Sequence, residues 1–344
     1  MKTKINGFQS TKKILLFISL STAALYAFAQ QDPQFTQNRF MKLPVNPGYA
    51  GTRGNLCATT AYRTQWVGFS GAPKTSFISA DMPVKDLGGG IGLTVLKDKL
   101  GNFNFTHARG AYSYHRSMNK GIGLLGIGLE LGVLQSTVDN NWLAPDGSHG
   151  EADEGIPADI VKKAMFDVGA GVYYRTDVMY VGISTSYVPG KAEHLSATEF
   201  DYKAARHYYV MAGYIWQPAP MLKFRPSAFV KSDAAVITFD LHCDLLYNDF
   251  VWGGLSYRLQ DAVAPVAGIA FKPSGRHSAS LLKIGYSYDI GISDLKAHHG
   301  NTHEILINYC IQWNKPVGSH KHPRYMGDDH PISDNPIKEP YWYE

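Results

Sequence analysis

The sequence predicts an all-β fold, a transmembrane antiparallel β-barrel of about 14 strands with an N-terminal arm and a flexible C-terminal tail. Three observations predict it. Apolar residues alternate with small or polar ones in segment after segment between residues 55 and 313. Charged residues make up only 18 % of the 344, against roughly 25 % in soluble domains, while Gly (34) and Tyr (21) are abundant, so part of the surface faces something other than water. Beyond residue 29 no apolar run reaches the roughly 18 residues of a spanning helix, which leaves strands to do the crossing.

Lys2, Lys4, Lys12 and Lys13 precede the apolar stretch Ile14–Phe28, and Ala27-Phe28-Ala29 stands before Gln30, so residues 1–29 read as a cleaved signal peptide. That leader holds four of the 33 Lys+Arg and none of the 29 Asp+Glu. The remaining chain is therefore neutral overall, and no nucleic acid is expected as a partner. Residues 30–54 follow without alternation and form an arm expected in the periplasm. Its Asn46-Pro47-Gly48-Tyr49-Ala50-Gly51 favours a compact turn: Asn-Pro initiates it, the glycines permit positive φ, and Tyr49 anchors the arm against or into the barrel mouth, with partner contact as its other role.

Strands are expected over 55–66, 75–83, 88–97, 103–115, 121–134, 165–175, 178–188, 206–217, 221–232, 236–247, 250–259, 262–271, 279–290 and 302–313. In the segment 283–290, Ile284, Tyr286, Tyr288 and Ile290 share one face, while Lys283, Gly285, Ser287 and Asp289 share the other. Leu125, Ile127, Leu129, Leu131 and Val133 divide in the same way from Gly126, Gly128, Glu130 and Gly132. The oily face suits lipid, and an even number of strands closes without edges. A secreted sandwich would have shorter strands without Tyr and Trp at the ends of their apolar faces. The longest connections, 135–164 and 189–205, are the fifth and seventh, both odd. With long loops outside and short turns in the periplasm, both chain ends are expected in the periplasm.

Little in the barrel suggests chemistry. Gly121-Ile122-Gly123-Leu124-Leu125-Gly126 fits a dinucleotide glycine pattern but runs on as a strand, so these are lumen-facing small residues. Asp240, His242 and Asp244 share a face next to Lys223, Arg225 and Lys231, which reads as an ion-pair ladder rather than a metal site. His107, Arg109, Ser113 and His115 lack the companion motifs of a hydrolase. The acidic loop 146–154 departs from calcium-loop spacing and reads as solvated. Cys57, Cys243 and Cys310 stand far apart and read as unpaired packing residues. No catalytic, cofactor-binding or metal-binding residue is assigned.

The residues Gln31-Asp32-Pro33-Gln34-Phe35-Thr36-Gln37, Asn46–Gly51, Tyr62-Arg63-Thr64-Gln65-Trp66 and Gly71–Thr75 come first. Tyr173-Tyr174-Arg175, Leu246-Tyr247-Asn248-Asp249, Gly285–Asp289, Ser293-Asp294-Leu295 and His303-Glu304-Ile305 follow. In that order they resemble the PorP/SprF family of type IX secretion system outer-membrane proteins, with Gly48 at a position where the family usually has Ala. The resemblance implies a noncatalytic outer-membrane component that supports secretion or surface attachment of specific substrate proteins, such as gliding adhesins. The expected partners are outer-membrane lipid, periplasmic and outer-membrane secretion components, and the secreted substrates. A passive outer-membrane pore is the alternative.

Residues 314–344 are longer than the family pattern, carry Pro316, Pro323, Pro331, Pro336 and Pro340, and are expected to form the flexible periplasmic tail. Its Tyr341, Trp342 and Tyr343, together with Tyr49 of the arm, are the residues expected to bind a partner.

Overall fold

The computed structural model describes residues 32–118, 121–139, 160–188, 192–194, 201–203, 205–272, 280–293 and 300–311. The alternation becomes fourteen barrel strands. They are β1 Leu56–Thr64, β2 Lys74–Val84, β3 Gly89–Leu100, β4 Phe103–Met118, β5 Gly123–Val138, β6 Val161–Arg175 and β7 Met179–Ser186, then β8 His207–Tyr214, β9 Leu222–Ser232, β10 Ile237–Tyr247, β11 Val251–Arg258, β12 Ala262–Phe271, β13 Ser280–Gly291 and β14 Thr302–Ile311. Each pairs antiparallel with its sequence neighbour, and β1 pairs with β14 to close the ring. A short segment, Trp216–Ala219, prolongs β8 and pairs irregularly with β9. β5 and β6 run further than the sequence suggested, so the fifth connection shrinks to 139–160. A small separate ribbon, Ala192–His194 with Asp201–Lys203, lies in the seventh.

β1 starts at what we term the near end and finishes at the far end, from which connections 139–160 and 187–206 spring. The two faces separate as the period of two requires. On β5, Leu129 and Leu131 are 64 % and 69 % exposed, whereas Glu130 between them is buried. Exposed aromatics gather at both ends of the outer face, Tyr62, Tyr208 and Tyr257 towards the far end and Tyr114, Tyr214, Trp216 and Tyr247 towards the near end. These are the two girdles of a membrane barrel. An arginine on the oily band must leave hydrocarbon or drag water in, so Ile284→Arg on β13 is expected to cost about 2–4 kcal/mol if it lies near the midplane. The midpoint of urea unfolding in lipid vesicles measures it. Ser287, facing inward on the same strand, is fully buried, so an arginine there meets a packed interior rather than an open channel.

One expectation is corrected at the seam. Cys57 and Cys310 are not unpaired: they form a disulfide across 253 residues of chain. The register explains it, because closure sets Cys57 of β1 directly opposite Cys310 of β14 with both side chains inward, leaving Cys243 as the free thiol among the described residues. Such a bond persists in an oxidising compartment such as the bacterial periplasm. Replacing both cysteines with serine is expected to lower stability by about 2–4 kcal/mol. The temperature at which the compact band disappears in nonreducing gels checks this.

Candidate functional site: a lumen filled by the N-terminal arm

The barrel has inward-facing charges on almost every strand, and in a membrane these require partners. Residues 32–55 supply many of them. The arm lies inside the lumen, starting towards the far end with Asp32 and leaving at the near end, where Asn55 leads into β1. Fifteen of its side chains, from Thr36 and Gln37 to Arg53 and Asn55, are buried.

The far-end part is held through polar groups. The Asp32 carboxylate accepts from the hydroxyls of Tyr187 (2.7 Å) and Tyr209 (2.5 Å), its carbonyl accepts from Lys231 Nζ (2.7 Å), and its backbone N–H donates to His207 Nε2. Burial alone would push this carboxyl up. His207, Arg109 and the two tyrosine hydroxyls outweigh burial and hold it well below the ordinary carboxylate range. The latch therefore keeps its charge through mild acid and weakens only as pH falls beneath that range. Four residues on, the backbone N–H groups of Thr36 and Gln37 donate to the two oxygens of Glu304 (2.8 and 2.9 Å), and the Thr36 hydroxyl donates to Asp289. Arg63 ties this together, with Nη2 2.8 Å from Asp289 and Nη1 3.1 Å from Glu304. Arg39 reaches Asp244 at 2.8 Å, beside Arg225 and His242, while Gln34 and Asn38 donate to Asp240, which also pairs with Arg258. Of the expected ladder only the Arg225–Asp244 rung forms among the described residues, since Lys223 pairs with Asp249, Lys231 donates to the Asp32 carbonyl and Asp240 takes Arg258 from β11.

Midway the arm packs. Phe40 meets Trp252 at 5.5 Å and joins Phe77, Leu246, Leu281 and Leu306 in a buried apolar cluster. Lys42 sits over the Tyr180 ring at 3.5 Å, and Tyr49 meets Tyr173 edge-on at 5.2 Å. Tyr49, expected to bind a partner, is 4 % exposed and is an anchor of the arm inside the barrel. Tyr341, Trp342 and Tyr343 lie outside the described residues, as does the tail.

Towards the near end the arm continues alongside β4 as a series of turns and a 3-10 helix, Pro47–Tyr49, whose carbonyls are read by side chains. Arg109 Nη1 donates to the Pro44 carbonyl, Ser113 Oγ to that of Gly48, and His115 Nε2 bonds that of Ala50, each at 2.9 Å and each 65 positions along the chain. The hydrolase-like column of β4 is thus a ladder for the arm, because alternate residues of β4 share the inward face and meet its carbonyls in turn. Asn46 caps the turn at Pro47–Tyr49 by accepting from Gly48 N–H, and its amide donates to the carbonyls of Val172 and Ile183. Small residues on the wall make this approach possible. A Cβ on Gly128 would lie 2.3 Å from Gly48 N, and one on Gly126 would lie 2.1 Å from Gly48 O. Gly51 has φ +72°, donates to Asp81, and touches Gly90 so closely that a side chain on either would clash. Arg53 closes the series at 2.6 Å from Asp81.

Most motifs quoted from the sequence converge here. Arg63, Asp289 and Glu304, from three separate motifs on β1, β13 and β14, form the seat of Thr36. Sequence reading missed that convergence. Its available signal was the presence of acids and a base on the inward faces of strands that must be neighbours once the ring closes.

Above the arm at the far end lies a cavity of about 330 Å³, floored by Asp32–Phe35 and walled by β3–β5 and β8–β9. Among the described residues no cluster of three or more His, Cys, Asp or Glu side chains is arranged to hold a metal.

A model of the family described as "Type IX secretion system membrane protein PorP/SprF" matches residues 27–309. No curated protein sequence matches the chain. Among solved structures, the CymD monoaromatic hydrocarbon channel is 11 % identical with a TM-score of 0.48, covering 82 % of this chain and 94 % of that one. The toluene transporter TbuX of Ralstonia pickettii is 10 % identical, with a TM-score of 0.44 and coverages of 78 % and 92 %. Omp33 of Acinetobacter baumannii is 7 % identical, with a TM-score of 0.37 and coverages of 75 % and 98 %.

Proposed function

The chain belongs to the PorP/SprF family of type IX secretion system membrane proteins, and from that membership we propose that it supports the secretion or surface attachment of specific substrate proteins through its ends and loops rather than through its lumen. The observation that carries this reading is the filled interior. A barrel whose own arm occupies its lumen from Asp32 to Asn55 is poorly suited to pass an unfolded polypeptide, and equally to act as a passive pore. The protein is a membrane barrel without assigned chemistry, so it works by presenting surfaces.

The arm was expected to serve as a periplasmic handle, but its residues are occupied inside the barrel. The handle falls instead to residues 314–344, which follow β14 at the near end and close with Pro340-Tyr341-Trp342-Tyr343, a run rich in the aromatics that dominate binding hot spots. The lengths of the connections support a periplasmic position for that end, towards the secretion components, and an external one for the connections 139–160 and 187–206, towards substrates.

The test is a pair of chromosomal changes read by proteomics of the culture supernatant and cell surface. Deletion of the whole chain is expected to remove a small set of substrates, and truncation after Trp313 to remove the same set while a folded barrel remains in the outer membrane. An unchanged secretome in the full deletion would overturn the reading in favour of a pore. A normal secretome in the truncation alone would move the handle off the tail.

A further inference from the structure

We propose that the far-end cavity is a binding site for a small amphipathic monocarboxylate, an apolar body of roughly eight carbons carrying one anionic head. The cavity has the size and make-up of a ligand pocket: about 330 Å³, with a mostly apolar and aromatic surface into which polar groups of the arm, β3, β4, β8 and β9 are set. Phe35 and Met41 of the arm, Leu96, Phe105 and Leu134 of β3–β5, and Phe229 of β9 form the apolar surface.

Among these polar groups the two cations, Lys231 and Arg109, keep unused N–H donors. Lys231 is 3 % exposed and lines the cavity, and its ammonium, which has three N–H donors, gives one to the Asp32 carbonyl. Arg109 also lines the cavity at 5 % exposure. It pairs with Asp167 through Nε and bonds the Pro44 carbonyl through Nη1, while its buried Nη2 has no hydrogen-bond partner. Buried guanidinium donors are costly to leave unmet, and a carboxylate is the acceptor whose geometry and charge suit them.

The acids that line the same space are already engaged. Asp32 is held by two tyrosine hydroxyls and by the field of His207 and Arg109, and Asp98 accepts from the Thr75 hydroxyl. A neutral apolar molecule would fill the walls and leave the Arg109 donor unmet. A cationic amphiphile would meet Lys231 and Arg109 across a short, poorly hydrated gap. Because the floor is the arm itself, a bound carboxylate touches both the wall and the seated arm, and stabilises only the plugged form.

The experiment uses the full mature chain in lipid nanodiscs, titrated by calorimetry with octanoate, 1-octanol and octylammonium. The expected result is one octanoate per chain, bound roughly tenfold or more tighter than octanol, with octylammonium weaker still. Lys231→Met is expected to erase the preference for octanoate over octanol, and Lys231→Arg to keep it. Leu134→Trp, which fills the apolar wall, is expected to abolish binding of both octanoate and octanol. Equal binding of all three probes, binding at many sites per chain as lipid partitioning would give, or tighter octylammonium than octanoate would each overturn the proposal. The wild-type selectivity decides the matter even if Lys231→Met fails to fold.

Discussion

Replacing Arg63 with methionine is expected to remove about 3–5 kcal/mol from the stability of the barrel, the largest loss from any single substitution considered. Arg63 is 3 % exposed in its side chain and faces Asp289 and Glu304, which are 3 % and 0 % exposed. Without it the cation left to these carboxylates among the described residues is Arg258, 3.6 Å from Asp289. Two buried acids with insufficient compensation must then hydrate or take up a proton, and either change loosens the seat of Thr36 and Gln37. The measurement is the urea midpoint in vesicles, together with the rate at which an added protease cuts the arm. Arg63→Met combined with Glu304→Gln is expected to recover part of the loss, since one orphaned charge goes with the other. A full loss in the double variant would show that Arg63 acts mainly through Asp289.

Deleting residues 32–54 is expected to convert a silent barrel into a conducting one. All fourteen strands and the Cys57–Cys310 bond survive the deletion, so the ring itself is retained. What disappears is the column of chain between Asp32 and Gly54, and water enters to solvate Arg63, Asp289, Glu304 and Arg109. In planar bilayers the full chain is expected to give no stable current and the shortened chain discrete open-channel steps. Gly128→Leu should approach the same state by another route, because its side chain would occupy the space of Pro47 and Gly48; overpacking of this kind costs about 1–3 kcal/mol. Absence of current in the shortened chain would mean that other residues also block the passage.

The wall was legible in the sequence and the plug was not, and the reason lies in what each leaves behind. Ile127, Leu129 and Leu131 alternate with Gly126, Gly128 and Glu130 because lipid and lumen impose opposite demands at every second residue, so the period of two is written directly into β5. The arm has no such period. It is held at Pro44, Gly48 and Ala50 by backbone carbonyls, which have no residue type, and the side chains that read them sit on β4 and looked like a stray catalytic set. Gly126 and Gly128 were recognisable as small lumen residues, but nothing in their spacing names Pro47 and Gly48 as what they make room for. The disulfide was hidden for a topological reason. Cys57 and Cys310 lie almost at opposite ends of the barrel sequence, and become neighbours only once strands one and fourteen are taken as paired; their places near the start of the first strand and the end of the last were the available clue.

A segment enclosed by a ring also dictates an order of events. The hydrogen bonds between β1 and β14 join segments 253 residues apart, the most non-local pairing of the wall and so the one with the highest closure cost, and the cystine bond cannot precede their approach. Until that moment the sheet is open along one side, and the arm can be laid against β4, β13 and the other strands sideways. Afterwards it can reach its seat only end-on, by feeding 24 residues with bulky Phe40, Tyr49 and Arg53 past a packed interior. Lateral wrapping is much the easier route, so the arm serves as the mandrel around which the cylinder is rolled. The inward charges then find their partners as the curvature develops, and the lipid never has to host an empty, charged tube.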